Sequence, residues 1–362
     1  MNHFVTFIIF LFTLSIIAQK DEKSLNLKDY YPISQRPYIS GGVGNNDYEQ
    51  ILFDAKPVVY YGIYNNINKA LSQESIKPGY AVYINLQPQI RMYQETSKPI
   101  KTPSYKVLFG WQPIIKTNNN DFLTFAFETG HYSNGQSQGA FTEEFADESP
   151  ESNAIYDTIT NETNLSQILN RRSGNFSTNL SRLSFNYRLN KFDENDKPTK
   201  IHSITLSYQL YHNRFLGFLD FGGYNDRDIK LYGRNQIEGE YEFTSYYKGM
   251  RYVLGQELFL HLDSHPSTSP IRSETRGILF PWDTDLGFFA QIDTGFDDYN
   301  YRFVDTFNRF SVGLTWDWFT PFVIKPAKKE LREQKKEERQ EEKELNEQQK
   351  LLEKQAEDGS DG

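Results

Sequence analysis

From Arg309 to Trp318 the chain alternates without a break: Phe310, Val312, Leu314, Trp316 and Trp318 hold the even positions, and Arg309, Ser311, Gly313, Thr315 and Asp317 the odd ones. A period of two belongs to an extended strand whose two faces meet different surroundings. Ten residues is also the length a tilted strand needs to cross a bilayer. The rhythm returns in His202-Ile204-Leu206-Tyr208-Leu210 set against Ser203-Thr205-Ser207-Gln209, and more weakly in Tyr252, Leu254, Leu258 and Leu260 around Gln256. Aromatic residues make up 15% of the chain, yet mean hydropathy is −0.66. A soluble sandwich shares the alternation but needs fewer aromatics. A transmembrane barrel reconciles the two facts, because each strand is only half apolar and aromatic girdles mark both interfaces.

The expected fold is therefore all-β: an antiparallel transmembrane β-barrel of about 12 strands with a charged C-terminal tail, helical or disordered. Strands are expected near 57–65, 79–88, 90–96, 104–115, 122–134, 175–189, 201–212, 229–243, 251–262, 271–281, 286–299 and 308–319. Phe4 to Ile17 is an apolar run ending at Ala18 before Gln19-Lys20-Asp21-Glu22, which reads as a signal peptide over 1–18. The division continues with an N-terminal extension (19–49), the barrel (50–322) and a tail rich in Glu, Lys, Arg and Gln (323–362). Gly41-Gly42-Val43-Gly44 lacks the strand–helix setting of a phosphate loop and reads as linker. The segment 136–174 is too long for a tight turn. It belongs outside the cell, with the turn at 190–200 and the tail in the periplasm. The chain has no cysteine, so a lipid anchor on cysteine, a disulfide framework and thiolate metal sites are excluded. Its net charge of −9 comes with no basic face interleaved with aromatics, so nucleic acid is not an expected partner.

One strand carries chemistry. In Thr124-Phe125-Ala126-Phe127-Glu128-Thr129-Gly130-His131-Tyr132-Ser133-Asn134-Gly135, residues two apart share a face. His131 and Ser133 then project with Phe125 and Phe127, while Glu128 and Asn134 take the other side. If the polar side is the lumen, the His–Ser pair faces lipid, a costly place for polar groups without a purpose. In the next strand Asn175, Ser177, Asn179 and Ser181 share a face with Leu183, Phe185, Tyr187 and Leu189. Antiparallel pairing sets its polar end beside His131 and Ser133. Such a patch has the parts of an acyl hydrolase: a serine nucleophile, a histidine base and a third group to fix the imidazole tautomer. The competing reading is a set of interfacial polar residues, since a lone His-x-Ser is common.

His131-Tyr132-Ser133-Asn134-Gly135 resembles the His-x-Ser-Asn-Gly motif of the outer-membrane phospholipase A family. Gln94-Glu95-Thr96-Ser97-Lys98-Pro99, followed by Tyr105 and Leu108-Phe109-Gly110, resembles that family's third loop and fourth strand. Gly295-Phe296-Asp297-Asp298-Tyr299-Asn300 resembles the end of its eleventh strand. The resemblance implies a twelve-stranded barrel in the outer membrane that hydrolyses phospholipid acyl esters, requires Ca2+ and works as a homodimer. It implies Ser133 as nucleophile, His131 as base and an asparagine on the sixth strand as third member: Asn179, with Ser177 and Asn175 as the other alignments. For calcium it implies the carbonyl of Gln136, where the family commonly has arginine, the hydroxyl of Ser173 or else Asn175, and Thr96 or Ser97 from a second copy. The alternative from another class is a non-enzymatic barrel for transport or structure. The face occupied by His131 separates the two, because a porin keeps its functional polar groups in the lumen.

Overall fold

The computed structural model describes residues 27–45, 51–67, 78–94, 100, 103–117, 121–192, 198–215 and 218–317. The expected leader (1–18), the tail over 323–362 and the residues Thr96 and Ser97 lie outside these. The wall strands are β1 (Tyr38–Asn45), β2 (Ile51–Lys56), β3 (Val59–Asn65), β4 (Gly79–Tyr93), β5 (Ser104–Lys116), β6 (Phe122–Ser133), β7 (Ser177–Phe192) and β8 (Pro198–His212). After a two-strand ribbon, β9 (Arg214–Phe215) and β10 (Leu219–Asp220), the wall resumes with β11 (Asn235–Tyr247), β12 (Met250–Leu262), β13 (Ile271–Phe280), β14 (Leu286–Phe296) and β15 (Thr306–Trp316). All wall pairings are antiparallel between chain neighbours, and β1 pairs with β15. β2 pairs with both β1 and β4, which closes the sheet. Because β2 and β3 lie end to end along β4, they form one wall strand, and the barrel has twelve.

Alternation decides which side of the wall each residue takes. On β15, Phe310, Val312 and Leu314 are exposed on the outer surface, while Arg309, Ser311 and Thr315 are buried inside. On β8, Ile204, Leu206 and Tyr208 face outward as their period predicts. The inner positions carry charge, and buried charge must be paired. Arg91 reaches Asp54 (2.8 Å) and Asp297 (2.6 Å), and Arg309 reaches Asp54 (3.2 Å). Near one mouth Arg36 binds Asp317 (2.8 Å) and Glu242, and Arg251 binds Asp317 (2.6 Å). Residues 27–36 enter through that mouth: Leu27 N donates to Asp317 O (3.1 Å), and Tyr31 stacks on Tyr60 at 4.7 Å. Inside the barrel, Arg36, Arg182, Glu238, Glu242, Arg272 and Glu274 border a cavity of about 120 Å3.

The two ends differ. The entering segment 27–36, the end of β15 and the short connections sit at one end. At the other, segments 134–176, 213–215, 218–234 and 297–305 form a cap whose core, built on Phe141, Leu165, Phe176, Tyr224, Leu231 and Phe303, continues into the barrel through Tyr132, Leu180 and Tyr211.

The strand count of twelve agrees with expectation, but through two compensating differences. The linker expected at 41–44 is the middle of β1. Its glycines depress the strand signal but are required: a Cβ on Gly42 would lie 2.8 Å from Phe310 O, and one on Gly44 2.9 Å from Asn308 O. Conversely, the expected strands 79–88 and 90–96 are one strand, β4. Pro88 looks like a break because it has no N–H to give a ladder. In the barrel it faces the gap between β2 and β3, since Leu86 pairs with Val59 and Ile90 with Ala55. The strand expected from 229 starts at Asn235, because Asp226–Tyr232 is a helix capped by Asn225.

Candidate active site on the outer wall

β6 and β7 pair so that Ser133 stands opposite Ser177, His131 opposite Asn179, and Thr129 opposite Ser181. All six project outward, on the side where Phe125, Phe127, Leu183 and Phe185 are exposed. Their neighbours Tyr132, Thr178 and Asn134 point inward and are buried. The His–Ser pair therefore sits on the outer wall, where alternation placed it.

Of the three residues weighed as the third member, it is Asn179 that meets His131, with Oδ1 3.1 Å from Nδ1. The amide cannot turn over. Asn179 Nδ2 donates to the carbonyls of Phe221 (2.7 Å) and Asn213 (3.2 Å), and a carbonyl only accepts. Oδ1 is thereby turned to His131 and must accept from Nδ1–H. The lone pair of the imidazole is then on Nε2, the tautomer a general base needs. Ser177 instead donates to Gly222 O (2.8 Å), and Asn175 donates to Asp147 Oδ2 (2.7 Å). Ser133 shares the face of His131, but no hydrogen bond joins the two among the described residues. Such contacts are commonly loose before substrate binds.

The part of the site that alternation did not predict is the ribbon between β8 and β11. It leaves the wall at Asn213, turns through β9 and β10, and returns as Phe221-Gly222-Gly223 against the catalytic candidates. The Phe221 ring lies 5.2 Å from that of His131. Gly222 has φ of +51°, and a Cβ there would sit 2.4 Å from His131 Cε1. The glycine pair is the one signal of this contact that the sequence carries. A second histidine, His212 at the end of β8, joins the same outer face: its Nε2 lies 3.0 Å from Ser181 Oγ.

The residues implied for calcium are only partly assembled. The Ser173 hydroxyl is turned to Asn170, whose Nδ2 lies 3.3 Å away, and Ser97 is outside the described residues. Gln136 begins the loop, its N–H held by Asn134 Oδ1 (3.1 Å). Beside it Asp147 N donates to Ser137 O (2.9 Å) and Asn175 N to Gln138 O (2.6 Å). Asp147 and Asn175, joined by their 2.7 Å hydrogen bond, bring a carboxylate and an amide oxygen to the loop that Gln136 begins, and both suit a hard cation. Among the described residues, no three His, Cys, Asp or Glu side chains gather in a metal-binding group.

No family model matches the sequence, and no curated protein matches it. Solved structures do match. The calcium-bound dimer of the outer membrane phospholipase of Salmonella typhi has a TM-score of 0.44 and 10% identity, covering 80% of this chain and 95% of that one. Outer membrane phospholipase A of Escherichia coli has a TM-score of 0.44 and 10% identity, covering 79% and 98%. The NanC porin has a TM-score of 0.37 and 9% identity, covering 78% and 100%. By its own strand pairings this chain is a closed twelve-stranded antiparallel barrel.

Proposed function

We propose that the protein is an outer-membrane phospholipase that cleaves acyl esters at the outer wall of its barrel, with Ser133, His131 and Asn179 as its catalytic group. One observation carries this reading: a lipid-facing histidine whose tautomer is fixed by a buried asparagine, itself fixed by two carbonyls, one register step from a serine on the same face. Hydrogen-bonding groups facing lipid are costly without a use. The filled lumen supports the same reading over transport, because ion pairs and the entering segment 27–36 occupy the path a solute needs.

The chemistry follows from the tautomer. Ser133 Oγ attacks the acyl carbonyl as its proton passes to His131 Nε2. The ester C–O bond breaks, and the leaving alcohol takes that proton. Water then cleaves the acyl-serine by the same route. Asn179 holds the ring and stabilises the imidazolium through Oδ1. A calcium ion, when bound by Gln136 with Asp147 and Asn175, would supply the positive charge a developing oxyanion needs. The reading includes a homodimer in which a second copy completes the cation site, a leader over 1–18, and a periplasmic tail. Hydrolysis of a labelled phospholipid by the refolded protein, with and without calcium, tests it. Loss of the calcium-dependent part of the hydrolysis with chelator and in Ser133→Ala is expected. Hydrolysis by a folded Ser133→Ala barrel at the wild-type rate overturns the assignment.

A further inference from the structure

One register step below His131 and Asn179 the outer wall holds a second hydroxyl–imidazole pair. Ser181 Oγ lies 3.0 Å from His212 Nε2, and His212 Nδ1 lies 2.8 Å from the carbonyl of Arg214. A carbonyl accepts only, so Nδ1 carries the proton and Nε2 the lone pair. The hydrogen bond is then donated by the serine, the direction a nucleophile and its base require. Thr129 borders the pair, its Oγ1 3.0 Å from Ser181 Oγ. Its own proton has an acceptor in Leu180 O at 3.1 Å. Thr129 thus adds no donor to the serine oxygen, which keeps its lone pairs. Ser181 and His212 are both half-buried, open to the lipid side.

We propose that Ser181 is a second nucleophile on the outer wall, activated by His212 and oriented through the Arg214 carbonyl, that takes acyl esters of membrane lipids. It lies two residues along β7 from Asn179, roughly 7 Å along the strand toward the membrane middle. The matching substrate is therefore an ester whose carbonyl sits deeper than one presented to Ser133. As the Ser181 Oγ–acyl bond forms, the serine proton passes to His212 Nε2. The ester C–O bond breaks and the leaving alcohol takes the proton back. Water then releases the fatty acid by the reverse transfers. This site stands independently of the reading at Ser133.

The test is reaction of the full-length barrel, refolded in dodecylphosphocholine micelles, with a long-chain alkyl fluorophosphonate, the modified serine being mapped by peptide mass spectrometry. Label at Ser181 is expected in the wild type and persists in Ser133→Ala. His212→Asn keeps an amide donor where Nδ1–H lies and removes the base, so it separates activation from anchoring of the ribbon. On the Ser133→Ala background it is expected to slow Ser181 labelling roughly 100-fold. Absence of label at Ser181 in wild-type barrel of folded, heat-shiftable gel mobility overturns the proposal, as does labelling indifferent to His212→Asn. Loss of the Ser133 label alone counts against the Ser133 reading and leaves this one standing.

Discussion

Gly222→Ala puts the role of the ribbon to a sharp test. The added methyl meets two separate penalties. The backbone at φ of +51° is unfavourable for a residue with a Cβ, by about 1–2 kcal/mol. The methyl would also lie 2.4 Å from His131 Cε1, so either the imidazole or the ribbon must move. If the ribbon moves, the Phe221 and Gly222 carbonyls withdraw from Asn179 and Ser177, and the amide that fixes the imidazole loses its own anchor. If the ring moves, His131 leaves the position that Asn179 sets for it. Either displacement, on the scale of an ångström, is expected to cost roughly 100-fold in hydrolysis. The urea midpoint should fall by little more than in Gly249→Ala, because the ribbon lies outside the wall pairings and can shift to relieve the clash. Gly249→Ala is the control. Its φ is +70° with nothing within 4 Å, so it bears the backbone penalty alone in the β11–β12 turn. The measurements are initial rates on a labelled phospholipid in mixed micelles and the urea midpoint of each refolded variant. A folded Gly222→Ala that hydrolyses within twofold of Gly249→Ala refutes the claim that this contact positions His131.

Asn179→Ala removes the acceptor of His131 Nδ1 and strands two ribbon carbonyls; the hydrolysis rate of the folded variant should fall roughly 100-fold. Ser133→Ala and His131→Ala should each abolish most of the calcium-dependent activity, and the double variant should be little slower than either, because the two act on one step; multiplicative losses in the same rate assay count against a shared step. Leu314→Arg sets a charge on the lipid face of β15 and should cost about 2–4 kcal/mol if it lies near mid-bilayer, read from unfolding titrations in bilayers. In the cap, burial pushes the Asp228 carboxyl up to about 7, with the Tyr156 hydrogen bond pulling it part of the way back. The folded cap therefore holds this proton more tightly than the unfolded chain, and it should gain stability as pH falls from above 7 toward 4, by at most about 4 kcal/mol. Limited proteolysis of 134–176 at pH 8 and pH 5 measures this, and Asp228→Asn should remove the difference.

What the sequence makes legible follows from how far each interaction reaches along the chain. Alternation is local, so the outward faces of β8 and β15 and the shared face of His131 and Ser133 can be read from a dozen residues each. Register between neighbouring strands is nearly local, and it brought the polar end of β7 beside His131. It did not choose among Asn175, Ser177 and Asn179. That choice is made by carbonyls of Asn213 and Phe221, 34 and 42 residues further on, in a segment with no periodicity. β1 was hidden for the opposite reason: the glycines that let it lie against β15 erase the side chains that would reveal it. The ion pairs filling the lumen join residues as far apart as Arg91 and Asp297, and no local pattern anticipates them.

These long-range contacts bear on function as well as on fold. A polar strand end on the outer wall is ambiguous by itself, because residues at a membrane interface are often polar. Here the ambiguity is reduced by the direction of each hydrogen bond. Two carbonyls hold the Asn179 amide nitrogen, its oxygen holds His131 Nδ1, and the lone pair is left on Nε2. Interfacial polarity alone asks for none of this ordering; water and headgroups satisfy such side chains in any orientation. A base asks for all of it, since an imidazole of the wrong tautomer cannot take a serine proton. The same reasoning applies to His212, whose Nδ1 is committed to a carbonyl and whose Nε2 meets a serine. Two imidazoles on one outer face, each with its Nδ1 held by a fixed acceptor, are the observation on which the proposed proton transfers rest.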